Sequence, residues 1–459
     1  MKGTKLWSYA PYSPPLRDTG GIYICRIVPG ETSIHFEWIP GAENYAVYYK
    51  KREGESFTLA GMTAESSFTI ENLSPDTDYA FYVESGDKKS LVRLARCGKA
   101  VGTPVNYLHP DDEAYSFSGR YLCSPSIVMH PDGYMLASMD VFAPSAPQNL
   151  TLIFRSDDKG ESWHYVSELM PCFWGKLFCH KGDIYMLGVS TEYGDLLIGK
   201  STDGGKTFSA PVAIFRGANG KSGSSGIHKA PQNVLFHNGR IYTAVEWGAW
   251  ANSKFGHAAM ILSCGANDDL LDPESWSLTY PKAFDPSFTK ETERLDKLTA
   301  TIEGTVTLSP EGELLDILRF HDPEGRIIAY RADKSDPEKE LEFYRLIDFP
   351  ANYSKFSILY DDVSKRYYSV ATRIFDKSNL WARNLLSLMA SDDLYNWRVA
   401  EDLLDYSAED SKRIGFQYVD FLFDGDDLVY LCRTAINGAN DFHNSNYITF
   451  HRIKNFRKK

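Results

Sequence analysis

Glu246, in "YTAVEWGAW", and Glu303, in "TIEGTVTLSPEGELLDILRF", belong to two different strand-rich stretches of the chain. Two carboxylates brought together from separate elements can serve as the acid and base of glycoside hydrolysis, and their separation decides between inversion and retention. One of them would need its pKa raised by burial to hold a proton near neutral pH. "GIHKAPQNV" places His228 and Lys229 just ahead of Glu246, Trp247 and Trp250. His228, or Tyr418 in "GFQYVDF", could instead act as the base of a lyase. "NGANDFHNSNYITFHR" puts His443 and Asn446 in a loop shortly after Arg433, a set able to recognise hydroxyls or a carboxylate. Each has a structural alternative: Glu246 paired with a neighbouring cation, the two tryptophans as core filler, His443 as a loop anchor.

Composition narrows the partners. The 459 residues carry a formal net charge of -12 and are 43% hydrophobic, so a large core can form and the charge argues against a phosphate-neutralising surface. The only basic run is the terminal "RIKNFRKK", so nucleic acid is not expected as a partner. The N-terminus "MKGTKLWSYAPYSPPLRD" lacks a signal-peptide core and no stretch approaches the roughly 20 apolar residues of a membrane span. The expectation is a cytoplasmic protein without membrane contact, or a secreted one if a leader was removed. The seven cysteines are scattered and lack zinc-site spacing, so they read as buried free thiols, with a Cys25–Cys97 pair as the alternative. No metal or cofactor is expected, and the oligomeric state is not legible.

The elements that must position these groups are strands. Before "GKAVGTPVNYLHPDD", short alternating segments such as "SIHFEWI", "NYAVYYKK" and "YAFYVES" alternate with turn clusters, the pattern of a small antiparallel sandwich. In "LSPDTDYAFYV", Leu73, Pro75, Thr77 and Tyr79 have tyrosine-corner spacing, and Trp38 lies in an early strand. Residues 21–103 therefore resemble a fibronectin type III domain, read mainly as a structural companion.

Residues 108–459 repeat an apolar strand, a tight polar turn and another apolar strand, as in "SPSIVMHPDGYMLASMDVF" and "GKLFCHKGDIYMLGVST". The repetition predicts an all-β, six-bladed β-propeller. The last unit is one strand short, so a strand just after the first domain is expected to close the ring. A propeller's site gathers where the inner strands begin, which nominates Ser124 and Pro125, Phe173 and Trp174, His228 and Lys229, Glu303, Lys355, and Gln417 with Tyr418.

"SDDKGESW" (156–163) and "STDGGKTF" (201–208) repeat one pattern of small, acidic, glycine and aromatic positions. They resemble Asp-boxes, and with the repeats they make residues 108–459 similar to the sialidase superfamily. That resemblance implies turn-building rather than catalytic roles for Asp157, Asp158 and Asp203. It also implies that Glu303 and Tyr418 form the family's Tyr/Glu nucleophile pair and that Arg319 belongs to its carboxylate-binding arginine triad. Asp140 matches a family aspartate, and Arg373 and Arg383 are both candidates for a further triad arginine. The chain departs from the family at Cys123 and Phe142, which stand where arginines are expected, and in "APSAPQN", an acid-free loop where the acid/base aspartate would lie.

The expected function is that of an exo-acting glycoside hydrolase, sialidase-like though not a true sialidase, removing a terminal acidic or modified sugar from an oligosaccharide. Its catalytic set is Glu303, Tyr418, Glu246 and His228. Its substrate-binding set is Arg319, Asp140, Lys229, Trp174, Trp247, Gln417, Arg433 and His443. The alternatives are a non-catalytic propeller that binds glycans or proteins, and a polysaccharide lyase.

Overall fold

The computed structural model describes Tyr12 and residues 21–144, 146–218, 224–250, 256–289 and 301–459. The N-terminal stretch read above for targeting signals lies, Tyr12 apart, outside the described residues.

The first unit is a two-sheet sandwich. Ile24–Pro29, Ile34–Trp38 and Ser67–Ile70 form one sheet, and Tyr45–Lys51, Thr58–Thr63, Asp78–Ser85, Lys88–Lys89 and Arg93–Arg96 form the other. Period-two alternation directs Ile34, Phe36 and Trp38 inward, where Trp38 meets Tyr45 edge to face at 5.0 Å. The corner expected at Tyr79 is formed: its hydroxyl accepts the Ser74 amide hydrogen at 2.9 Å. All seven cysteines are free, so Cys25 and Cys97 are not paired.

Among the described residues six antiparallel sheets follow, each built mainly from consecutive strands. Their innermost strands begin at Tyr121, Phe173, Gly226, Thr301, Leu359 and Gly415. The closing strand is Thr103–Tyr107, which pairs with Tyr447–Ile453 as the outer strand of the sixth sheet. Tyr121–Met129 packs beside the inner strands of both the second and the sixth sheets, so first and last units meet. The sandwich is seated on this closure: Arg26 donates to Val105 O, and Tyr107 and Tyr447 of the sixth sheet join the sandwich's apolar cluster.

The two octapeptides are turns. Asp158 Oδ1 accepts the Ser162 amide and Asp203 Oδ1 accepts the Thr207 amide, both at 2.9 Å. Gly160 has φ of +94°, and a Cβ there would lie 2.2 Å from the Phe450 ring, so a side chain is barred by conformation and by space. Trp163 then packs on Phe450, locking the first sheet against the sixth.

Candidate active site

Four inner strands share one local device. Each carries a register shift, at Cys123/Ser126, Phe173/Lys176, Ile302/Thr305 and Gln417/Asp420. Within each shift one non-glycine residue is left-handed: Ser124 (φ 49°), Trp174 (51°), Glu303 (61°) and Tyr418 (56°). Such a conformation costs roughly 1 kcal/mol or more per residue, and bulges of this kind re-aim side chains beside functional sites. All four residues line a single cavity of about 280 Å³. Neighbouring sheets hold the bulges in place: Asp140 accepts the Trp174 amide, and Glu246 accepts the Gly304 amide, each at 2.7 Å.

One side of the cavity concentrates charge. Arg319 Nη1 donates to Glu303 Oε2 at 2.8 Å. Burial would raise the Glu303 carboxyl, yet the Arg319 charge, with His228 and Tyr418 beside it, pulls it below its ordinary value. Burial and the nearby Glu303 charge push the Tyr418 phenol up to about 12. Arg319, Arg383 and Arg433 are 6%, 3% and 4% exposed, so all three guanidiniums are out of bulk water. Arg383 donates to Tyr353 O and Arg433 to His443 O, and among the described residues neither has a carboxylate partner. Burial, reinforced by the Arg319 charge, holds Arg383 down to about 9. Trp381, exposed to solvent, lies over both Arg319 and Arg383.

The opposite wall is aromatic. His228 Nδ1 lies 2.5 Å from Glu246 Oε2, the two being direct register partners. Trp174 closes on the His228 ring with centroids 4.4 Å apart, and Tyr193, Trp250 and His257 surround it further. Glu246 faces no solvent and acts as the support of His228 and of the Glu303 bulge rather than as a cavity group.

Of the residues nominated from sequence, Glu303, Tyr418, His228, Trp174, Arg433 and His443 line the cavity, with Ser124 and Phe173. Arg319 stands behind Glu303. Asp140, Lys229, Lys355 and Gln417 do not reach it. Asp140 is fully buried on Thr151 and the Trp174 amide, and burial raises its carboxyl to about 7. Lys229 and Lys355 sit beneath the cavity, where burial lowers them to about 7 and about 8, and their Nζ atoms donate to backbone carbonyls. Gln417 anchors Phe442 O, and Trp247 packs into the core between sheets. Asn446 is buried on Ile436. Of the two candidate arginines, Arg373 pairs with Asp402 away from the cavity, while Arg383 joins Arg319. Sequence reading missed Glu192, which lines the cavity in a loop of the second sheet, and Trp381; nothing in their local sequence marks them.

A fibronectin type III domain model matches residues 25–91, inside the sandwich. Among solved structures, the Hadza microbial sialidase Hz136 aligns over 97% of this chain and 98% of its own, at 13% identity and a TM-score of 0.53. The chain shares its fold with that sialidase. An α-L-arabinofuranosidase of Fusarium graminearum, in complex with an iminosugar inhibitor, covers 77% of this chain and 96% of its own at 14% identity and a TM-score of 0.51. An ulvan lyase covers 98% and 95% at 11% identity and a TM-score of 0.41. No curated protein sequence matches the chain. At these identities the likeness is one of fold, and the chemistry rests on the residues of this chain.

Proposed function

We propose that the six sheets are the blades of a six-bladed propeller and that the shared cavity hydrolyses the terminal acidic sugar of an oligosaccharide. The observation that carries this reading is a charge imbalance: of three buried guanidiniums beside the site, Arg319, Arg383 and Arg433, only Arg319 has a carboxylate partner among the described residues, Glu303. Buried charges persist when paired, so the deficit is met by an anionic group of the ligand, and guanidinium forks suit a carboxylate. Tyr418 attacks the anomeric carbon, and Glu303, ionised beside it, takes the phenol proton that burial makes hard to release. Trp174 and the His228 wall give the sugar an apolar face to rest on.

The test is turnover of aryl glycosides of sialic and uronic acids by the wild type, Glu303→Gln and Arg383→Met. Hydrolysis of one acidic glycoside that Glu303→Gln abolishes, with Arg383→Met raising KM, is expected. Equal turnover of neutral and acidic glycosides would reject the substrate class. A lyase reading is favoured by one feature, the Arg433 guanidinium 5.1 Å from the Tyr418 ring, where it could neutralise a uronate while Tyr418 removes a proton. It predicts an unsaturated, ultraviolet-absorbing product in place of a free reducing sugar.

A further inference from the structure

A hydrolase of this kind needs a proton donor for the leaving oxygen, and the first-sheet loop that would supply one contains no acid. Only two carboxylates line the cavity among the described residues, Glu303 and Glu192. Glu303 is ion-paired to Arg319 and held ionised, so it has no proton to give. His228 lines the cavity as well, but its ring is enclosed by Trp174, Tyr193, Trp250 and His257 and is 3% exposed. Glu192 is only partly buried.

Glu192 is also held firmly. The turn from Ser190 to Asp195 closes on itself through Ser190 N to Asp195 O and Gly194 N to Thr191 O. The acid-free loop of the first sheet docks against it: Thr191 Oγ1 donates to Pro147 O at 2.6 Å, and Gln148 Nε2 donates to Glu192 Oε2 at 3.1 Å. From the third sheet, Trp250 Nε1 donates to Glu192 Oε1 at 2.7 Å. One donor on each oxygen leaves a lone pair on each to carry a proton. In exo cleavage the leaving group points outward, which is where a partly exposed carboxyl stands.

We propose that Glu192 is the general acid and base of the reaction, an assignment that rests on the hydrolase reading above. In the first half, the Tyr418 oxygen bonds to the anomeric carbon while its proton passes to Glu303. The bond from that carbon to the glycosidic oxygen breaks, and the oxygen leaves as an alcohol with the Glu192 proton. In the second half, water gives a proton to Glu192 as its oxygen bonds to the anomeric carbon. The bond to Tyr418 breaks, and the phenolate recovers its proton from Glu303.

The test compares the full-length wild type, Glu192→Gln and His228→Gln on two matched acidic glycosides, one with a dinitrophenyl leaving group and one with a sugar leaving group. An activated phenol departs without a proton, whereas a sugar does not. Glu192→Gln is expected to lose about 100- to 10,000-fold in kcat/KM on the sugar-leaving substrate and to stay near wild type on the dinitrophenyl one. Its kcat on the dinitrophenyl substrate should fall, because the second half has lost the base that activates water, and added azide should restore that kcat and yield a glycosyl azide. Equal losses on both substrates, no loss on either, or a leaving-group-dependent loss that follows His228→Gln instead would overturn the assignment while leaving the hydrolase reading intact. A wild type inactive on both substrates would overturn the two together.

Discussion

His228 Nδ1 and Glu246 Oε2 lie 2.5 Å apart, and the other oxygen of Glu246 accepts the Gly304 amide at 2.7 Å. One buried carboxylate thus fixes the imidazole on the cavity wall and the backbone that presents Glu303 on the neighbouring sheet. Glu246→Ala leaves both donors unpaired in the interior, and a loss of about 3–5 kcal/mol in unfolding free energy is expected. Glu246→Gln keeps an acceptor for one of them and should lose less. Chemical denaturation checks the order, and an alanine variant as stable as wild type would contradict the tie.

The hairpin repeats and the sandwich were legible because strand period and turn chemistry are local. Glu303, Tyr418, Trp174 and His228 were legible because each opens an inner strand, and inner strands converge. What was not legible depends on contacts across sheets. Glu192 reaches the cavity through Gln148 and Trp250, residues 44 and 58 positions away. Arg373 and Arg383 flank one connection of the fifth sheet, and only their partners separate them: Asp402 for Arg373, Tyr353 O and Trp381 for Arg383. Lys229 follows His228 directly, and Gln417 precedes Tyr418, yet neither reaches the cavity, because the bulge or strand end aims one residue and buries its neighbour.

The Glu303–Arg319 pair predicts a pH dependence. The Glu303 carboxyl lies below its ordinary value of 4.5 in the fold, so the unfolded chain binds its proton more readily. The stabilisation is fully present above 4.5 and is lost as pH falls through the lower folded value. The stability gap between wild type and Glu303→Gln should therefore be flat from neutral pH down to about 5 and narrow below that. Urea midpoints across this range measure it; a gap that widens on acidification would contradict the pairing.

Arg383 predicts the opposite kind of effect. Its pKa, lowered to about 9 by burial and by Arg319, means that the fold disfavours its charge. At neutral pH the charged side chain, disfavoured by its burial and by Arg319, weakens the unliganded protein. Arg383→Met should raise unfolding free energy by about 1 kcal/mol or more without ligand while removing affinity for acidic sugars. A saturating acidic ligand, at 100 times its Kd, should stabilise the wild type by about 2.7 kcal/mol and the variant far less. A variant less stable than wild type, with unchanged ligand response, would contradict the idea of a charge held for the substrate.

Arg93 of the sandwich and Asp112 of the segment leading into the first sheet predict how the two units unfold. Arg93 Nε donates to Asp112 Oδ2 at 2.7 Å with both side chains buried, and Asp112 also accepts the amides of Leu94 and Ala114. The same arginine donates to Ile24 O, so one guanidinium joins two sandwich strands to the segment beneath them. Asp112→Ala strands that charge in the interior, where about 3–5 kcal/mol is the expected penalty. Because the tie spans the two units, the loss should fall on their coupling: calorimetry should show one cooperative transition in wild type and an earlier, separate melting of the sandwich in the variant. A single transition shifted as a whole would mean that the apolar contacts of Tyr23, Tyr107 and Tyr447 suffice to hold the units together.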